Sequence, residues 1–269
     1  MEAVVVDRAV LRVSGKDAET FLQGQLSQDV TKAPGLAFLL EPTGKVTALL
    51  RFSRSSDGSF LLDTDTAAGE AVETRLRRFM LRVDVLIEPR PEWRAVRIFG
   101  GPRLPQAQVI SVWPTPPYPQ EILTSDPERE ASMIGAEWLD AIEADRRRIA
   151  AGVPVSGVDI GPDTIPGEVG AALLDAAVSF TKGCYTGQEL VARIDSRGGN
   201  VPRLLRAIRA PGRVLEAGAE ISVDGKRVGQ ITSAAGDIAL GRVARSVDPP
   251  ARVTVLGADA TVAALPVAL

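Results

Sequence analysis

"KGCYTGQELVARIDSRG", Lys182 to Gly198, holds the chain's single cysteine and decides how the rest is read. Cys184 stands between Gly183 and Tyr185. It follows a short apolar run, Val178 to Phe180, that reads as a strand, and precedes the helical pattern GQELVARI. Glycines at 183 and 187 open backbone angles closed to other residues, so the loop can turn tightly and present backbone N–H groups. A helix opening at Gln188 brings its positive end close to the thiol, and Lys182 adds a full positive charge. Both favour the thiolate, which is the reactive and metal-binding form. The competing reading is a small buried apolar residue, the commonest state of a lone cysteine. The lysine, tyrosine, glutamine and glutamate clustered around it argue against a pure packing position.

The chain has 269 residues, enough for two or three hydrophobic cores. At 45% hydrophobic and 24% charged it reads as an ordinary globular protein. A net charge of −3 gives no general attraction to nucleic acid or an anionic membrane, so neither is expected as a direct partner. There is no histidine, which excludes an imidazole base and a His-ligated metal. One cysteine cannot close an internal disulfide or build a four-thiolate cluster, and no metal site is expected. A lone thiol fits a reducing compartment. The opening MEAVVVDRAVLRVSG has acids inside its apolar run and no small-residue cleavage site, so it does not read as a signal peptide. No apolar run approaches the roughly 20 residues that span a bilayer. The expected location is the cytoplasm.

Val4, Val6, Val10, Leu11 and Val13 read as a strand. Ser14 and Asp17 form a capping-box-like start to a helix through DAETFLQGQLSQDV. Phe21, Leu22, Gln25 and Leu26 share its face, and Gly24 thins that surface for close backbone approach. LLEPTGKVTALLRF reads as strand, turn at Pro42–Gly44, strand. RSSDGS, Arg54 to Ser59, reads as a loop and a domain boundary. FLLDT, a helix with Val72, Leu76, Phe79 and Met80, then VDVLIEP, WRAVRIFG and QVISVW suggest half of a ferredoxin-like unit. Ile134, Trp138 and Ile142 mark a helix running on to Ile149. The arginines at 75, 77, 78, 82 and 146–148 read as solvated surface. Gly152 to Gly170 is rich in glycine and proline and reads as an ordered, site-building loop. From Pro202 onward, short strands with an Asp224–Gly225 hairpin signal read as a small antiparallel barrel.

The pattern K-G-C-aromatic-x-G-Q-E, then A-R and R-G, resembles the signature of the YgfZ family, folate-binding relatives of the glycine cleavage T-protein. It falls on Lys182, Gly183, Cys184, Tyr185, Gly187, Gln188, Glu189, Ala192–Arg193 and Arg197–Gly198. GKDAETFLQGQLSQDV resembles that family's first helix, EPTGKV its P-x-G-K turn, and AAGVPVSGVDIGPDTIPGEVG its A-G-x-P…P-x-E segment. The likeness covers about the first fifty residues and about 150 to 200, and the middle poorly. It implies an α+β, three-domain T-protein-like fold around a central hole. Residues 1–55 and 145–201 would form a discontinuous folate-binding domain, 56–144 a ferredoxin-like domain, and 202–269 the C-terminal antiparallel β-barrel.

The resemblance also implies a cofactor, tetrahydrofolate or another reduced folate, in a channel between domains. It implies a role in assembly or repair of iron–sulfur clusters in client enzymes, including radical-SAM tRNA-modifying enzymes. Cys184 and Lys182 would carry the chemistry at the channel mouth. Glu168 would match the acid that accepts the N–H edge of a pterin in bidentate geometry. Gln23, Gln25, Tyr185, Gln188 and Glu189 would contact the folate. Arg193 and Arg197, four apart and so on one helical face, would neutralise its anionic tail. Some relatives carry a folate-touching tryptophan about where this chain has Arg8. The alternative function is a folate-dependent aminomethyl transferase, which needs a carboxylate at the reactive pterin nitrogens that cannot be placed here. A ligand-free scaffold is the third.

Overall fold

The computed structural model describes residues 1–105, 111–115, 119–196 and 198–269, with Ser111 and Val112 described by backbone alone. Strand β1 (Glu2–Ser14) leads into α1 (Ala18–Gln25), the hairpin β2 (Gly35–Leu40) and β3 (Val46–Arg54), then β4 (Phe60–Asp65) and α2 (Thr66–Arg78). Strands β5 (Leu86–Pro89), β6 (Arg94–Phe99), β7 (Ser111–Val112) and β8 (Gln120–Thr124) follow, then α3 (Pro127–Met133), β9 (Glu137–Trp138) and α4 (Ala141–Ala150). An irregular passage with a 3-10 turn at Pro166–Val169 leads to α5 (Ala171–Ala177) and α6 (Gln188–Ser196). The remainder is β10 (Arg203–Arg209), β11 (Glu220–Val223), β12 (Lys226–Ala235), β13 (Ile238–Ala244), β14 (Ala251–Val255) and β15 (Ala258–Ala263). These close into a barrel in the order β10-β13-β12-β11-β14-β15. Asp224 and Gly225 both have positive φ, 49° and 74°, as a two-residue hairpin turn requires. Among the described residues no helix is long and apolar enough to cross a membrane.

The large sheet runs β2-β3-β4-β1-β6-β8-β7, with β5 and β9 also pairing to β1. Strand β2 shows why both faces are dry. Leu36, Phe38 and Leu40 enter a cluster with Val153, Leu173 and Tyr185, while Ala37 and Leu39 enter another with Phe21, Leu22 and Phe60. Alternate side chains leave a strand on opposite faces, so a continuous apolar run such as GLAFLL is buried on both.

Three charged pairs interrupt this apolar pattern in register. Arg8 lies opposite Asp65, Arg51 opposite Asp63, and Arg97 opposite Glu121. Residues directly opposed on a sheet face are close enough to interact. Asp63 accepts from Arg8 Nε at 2.8 Å and from Arg51 Nε at 2.9 Å. Arg8 also pairs with Asp65, and Glu121 with both Arg51 and Arg97. Burial opposes ionisation of Asp63, but Arg51 and Arg8 outweigh it and hold the carboxyl below the usual range. The unfolded chain takes up this proton near pH 4, the folded chain only at lower pH. The contribution is therefore full above about pH 4 and is lost as pH falls through the folded-state midpoint. Thermal melts from about pH 7 to about pH 3 should show Tm falling below about pH 4, with a flatter acid limb in Asp63→Asn. An identical acid limb in that variant would contradict the assignment.

Several sequence expectations meet tertiary structure differently. The 55–59 segment is a tight turn, with Ser55 N donating to Ser59 O at 2.8 Å, between sheet neighbours β3 and β4. One hydrophobic cluster runs from Leu11 and Phe21 through Phe52 to Phe60, Leu76 and Ile87, so the expected boundary at 55/56 falls inside a single core. The cause is the length of β1, whose first half pairs with β6 and second half with β4 and β5. Ile134, Trp138 and Ile142 do not share a helix. Gly135 (φ 62°) ends α3, Trp138 lies exposed in β9, and Asp140 accepts from Ile142 N and Glu143 N to start α4 afresh. Val178–Phe180 forms no strand, and Phe180 is exposed. Asp17 does not cap α1, because its carboxylate accepts from Asp84 N at 2.8 Å, and α1 stops at Gln25. The first three residues of the QVISVW stretch lie outside the described residues, and β7 is what is described of the strand.

Candidate functional site

The cysteine loop sits on the stretch where α1 ends. Thr186 N donates to Gly24 O at 3.0 Å and Ser179 N to Ser27 O at 2.9 Å. In return, Ser27 Oγ donates to Ala177 O at 2.6 Å and Gln28 Nε2 to Ala176 O at 2.9 Å. Gly24 meets the loop through its carbonyl, while the space where its Cβ would stand is open. Lys182 Nζ donates to three carbonyl oxygens, Gln23 at 2.7 Å, Leu26 at 2.8 Å and Gln28 at 3.0 Å. It lies 5.3 Å from the Tyr185 ring centroid. Burial pushes the Lys182 ammonium down to about 8, against the opposing pull of Asp29. Cys184 is a free, exposed thiol.

The far end of the loop meets the Pro42–Gly44 turn glycine to glycine. Gly44 and Gly187 both have φ 82°. A Cβ on Gly187 would stand 2.5 Å from Glu41 O and 3.2 Å from Gly44 Cα, and one on Gly44 would stand 3.0 Å from Gly187 O. Two sequence motifs about 140 residues apart thus touch backbone to backbone, an approach only glycine permits.

The structure brings Cys184, Lys182, Tyr185 and Gln188 together with Gln23 and the end of α1. Tyr185 is buried among Phe38, Leu40 and Val191, and burial pushes its phenol up to about 12. Gln188 Oε1 accepts from Tyr185 N at 3.1 Å, closing the turn into α6. Glu189 and Arg193 lie exposed on α6, and Arg197 lies outside the described residues. Gln23 is committed locally, donating to Asp29 Oδ1 at 3.0 Å and accepting from Val30 N at 2.9 Å. Gln25 Oε1 accepts from Arg75 Nη1 at 3.0 Å. Glu168 is buried and turned to the barrel, where Arg242 Nη2 donates to it at 3.0 Å and Arg203 Nε at 3.3 Å.

Two arginines that read as surface are interior. Arg75, 4% exposed, donates to Leu40 O at 3.0 Å and stacks 3.7 Å from the Phe79 ring centroid. Arg148, 3% exposed, reaches Val153 O at 2.8 Å, Asp159 at 3.2 Å and Ser233 Oγ at 3.0 Å. A guanidinium tolerates burial when carbonyls and carboxylates meet its donors. The central ion cluster was also missed as a site. Its signal lay in single charges inside apolar strands, as in LLRF, LLDT, AVRIF and QEIL.

Arg8, Arg51, Arg97, Asp65 and Glu121 face Leu36, Trp113 and Pro154 around a central cavity of about 20 Å³. That is room for one water. With its ion pairs made it does not admit a pterin. Cavities of about 530 Å³ between β1 and α2, and about 480 Å³ beside Phe99 and Val267, are larger. Neither is lined by Glu168, Gln23, Gln25 or the cysteine loop, though Arg8, about where some relatives carry a folate-touching tryptophan, lines the first.

No family model matches the chain. An uncharacterized protein of Haemophilus influenzae is 30% identical over 237 residues, covering 84% of this chain and 81% of the relative. The chain belongs to that protein's family. The relative is described only as uncharacterized, so the family brings no activity to this chain. The crystal structure of glycine cleavage system aminomethyltransferase T from Bartonella henselae matches with a TM-score of 0.78 at 20% identity. The match spans 98% of this chain and 86% of that one. The architecture is therefore the α+β T-protein-like fold, with its closed antiparallel barrel. At that identity the likeness carries the fold alone.

Proposed function

We propose that this protein is a cytoplasmic accessory factor that binds a reduced folate and serves iron–sulfur cluster assembly or repair. Its clients would be iron–sulfur enzymes, radical-SAM tRNA-modifying enzymes among them, and Cys184 its reactive group. The observation that carries the reading is an exposed thiol on a loop anchored at both ends to α1 and the first hairpin. A cysteine kept for packing is buried; this one is offered to solvent. As a thiolate it would ligate cluster iron transiently, its proton passing to water.

Tetrahydrofolate is proposed from the likeness of fold. The residues expected to hold it do not fit it as they stand, because Glu168, Gln23 and Gln25 are engaged within the protein and the central cavity has room for only one water. Titration calorimetry with tetrahydrofolate tests this part alone. Stoichiometric heat supports it; no heat removes folate and leaves the thiol reading standing.

Cys184→Ala tests the thiol. Because the side chain is exposed, stability should stay within about 0.5 kcal/mol of the parent. In a strain lacking the protein, the variant should leave client-enzyme activity at the deletion level. Full rescue by Cys184→Ala would take the sulfur out of the mechanism.

A further inference from the structure

We infer that Lys182 is a positioning residue, whose ammonium clamps the cysteine loop onto the end of α1 instead of supplying charge to the thiol. The inference rests on Cys184 as the reactive group for its functional meaning, but its geometry stands independently. An ammonium has three N–H donors. Three carbonyl oxygens, of Gln23, Leu26 and Gln28, take all three at 2.7 to 3.0 Å. No donor is left to aim at the sulfur.

The acceptors explain why a cation is held there. The last carbonyls of a helix have no intrahelical donor and form the negative end of its dipole. Gln23 lies in the last turn of α1, and Leu26 and Gln28 follow its end. The ammonium satisfies carbonyls that would otherwise be stranded beneath the loop, with the Tyr185 ring on another side. Main-chain bonds flank it, Ser179 N to Ser27 O before and Thr186 N to Gly24 O after. An ammonium's tetrahedral donors can converge on such a cage, whereas a planar guanidinium cannot. The loop is therefore closed around the cation, and Cys184 is carried on its outer side.

The chain's single cysteine makes any thiol alkylation a report on Cys184. Iodoacetamide rates across pH should be measured for the parent, for Lys182→Met, and for Lys182→Ala with and without propylammonium, which replaces the deleted chain and charge. In Lys182→Met the profile should keep its midpoint while its alkaline plateau rises several-fold, because the loop loosens. Propylammonium should return Lys182→Ala to the parent plateau, and sodium chloride at equal ionic strength should not. A midpoint moving to higher pH with the plateau kept would make Lys182 a charge activator and overturn the inference. So would profiles identical to the parent. Should the variants not fold, brief acetylation of the native parent decides. Lys182 should react on the order of tenfold slower than exposed Lys16 and Lys32, and equal rates overturn the clamp. None of these readings depends on folate or a client enzyme, so failure of the proposed function would leave them unmoved.

Discussion

Gly187→Ala is expected to lift the cysteine loop from the first hairpin, while Gly183→Ala leaves it seated. Both glycines flank Cys184, and in the sequence they look alike. In the structure Gly187 has φ 82°, with Glu41 O 2.5 Å and Leu40 Cβ 2.8 Å from the position of an added methyl. The left-handed conformation costs an L-residue about 1–2 kcal/mol. Overlap with neighbouring backbone adds about 1–3 kcal/mol. The sum, about 2–5 kcal/mol, can be relieved locally by the loop moving away. Gly183 does not have positive φ and has nothing within 4 Å of its Cβ position, so alanine there should change stability by less than about 0.5 kcal/mol. Urea unfolding, with limited proteolysis between Ser179 and Gln188, compares the two. If both variants resist protease like the parent, the glycine-to-glycine contact does not hold the loop.

Asp63→Ala is expected to be the most destabilising single change in the large sheet. Asp63 is 2% exposed and shared by Arg8 and Arg51. Its removal takes from two buried guanidinium groups the carboxylate they share, leaving Arg8 with Asp65 alone and Arg51 with a Glu121 already held by Arg97. Breaking a buried pair typically costs about 3–5 kcal/mol. That corresponds to a fall in Tm of roughly 10 °C in a chain of this size. Arg51→Met should cost less, since Asp63 keeps Arg8 and Glu121 keeps Arg97. Equal losses of stability in Asp63→Ala and Arg51→Met would show that sharing the carboxylate has no special weight.

Some of this was legible without coordinates. The β2–β3 hairpin announced itself through an apolar run broken by P-T-G-K, and the barrel through turn residues between short strands. The cysteine loop stood out because a lysine, two glycines and a lone thiol fall within eight residues. Other features were illegible for one recurring reason. Lys182 finds its carbonyls more than 150 residues earlier in the chain. Glu168 finds Arg242 in the barrel, and Arg75 finds Leu40 O and Gln25. A charged letter is spelled the same way whether it meets water or a carboxylate. Cross-strand register decided the difference for Arg51 and Asp63, and a helix end decided it for Lys182.

The amino-acid order by itself determined which stretches alternate, where the chain turns, and that one thiol lies in a glycine-flanked loop. Periodicity, turn chemistry and propensity act across a few neighbouring residues and need no partner. Only the tertiary structure decided that Gly187 must be glycine and Gly183 need not, that Arg75 and Arg148 are interior, and that the ammonium beside the thiol is already occupied. Those outcomes depend on which acceptors the fold brings within about 3 Å of a donor, a distance the backbone sets only once distant segments have packed.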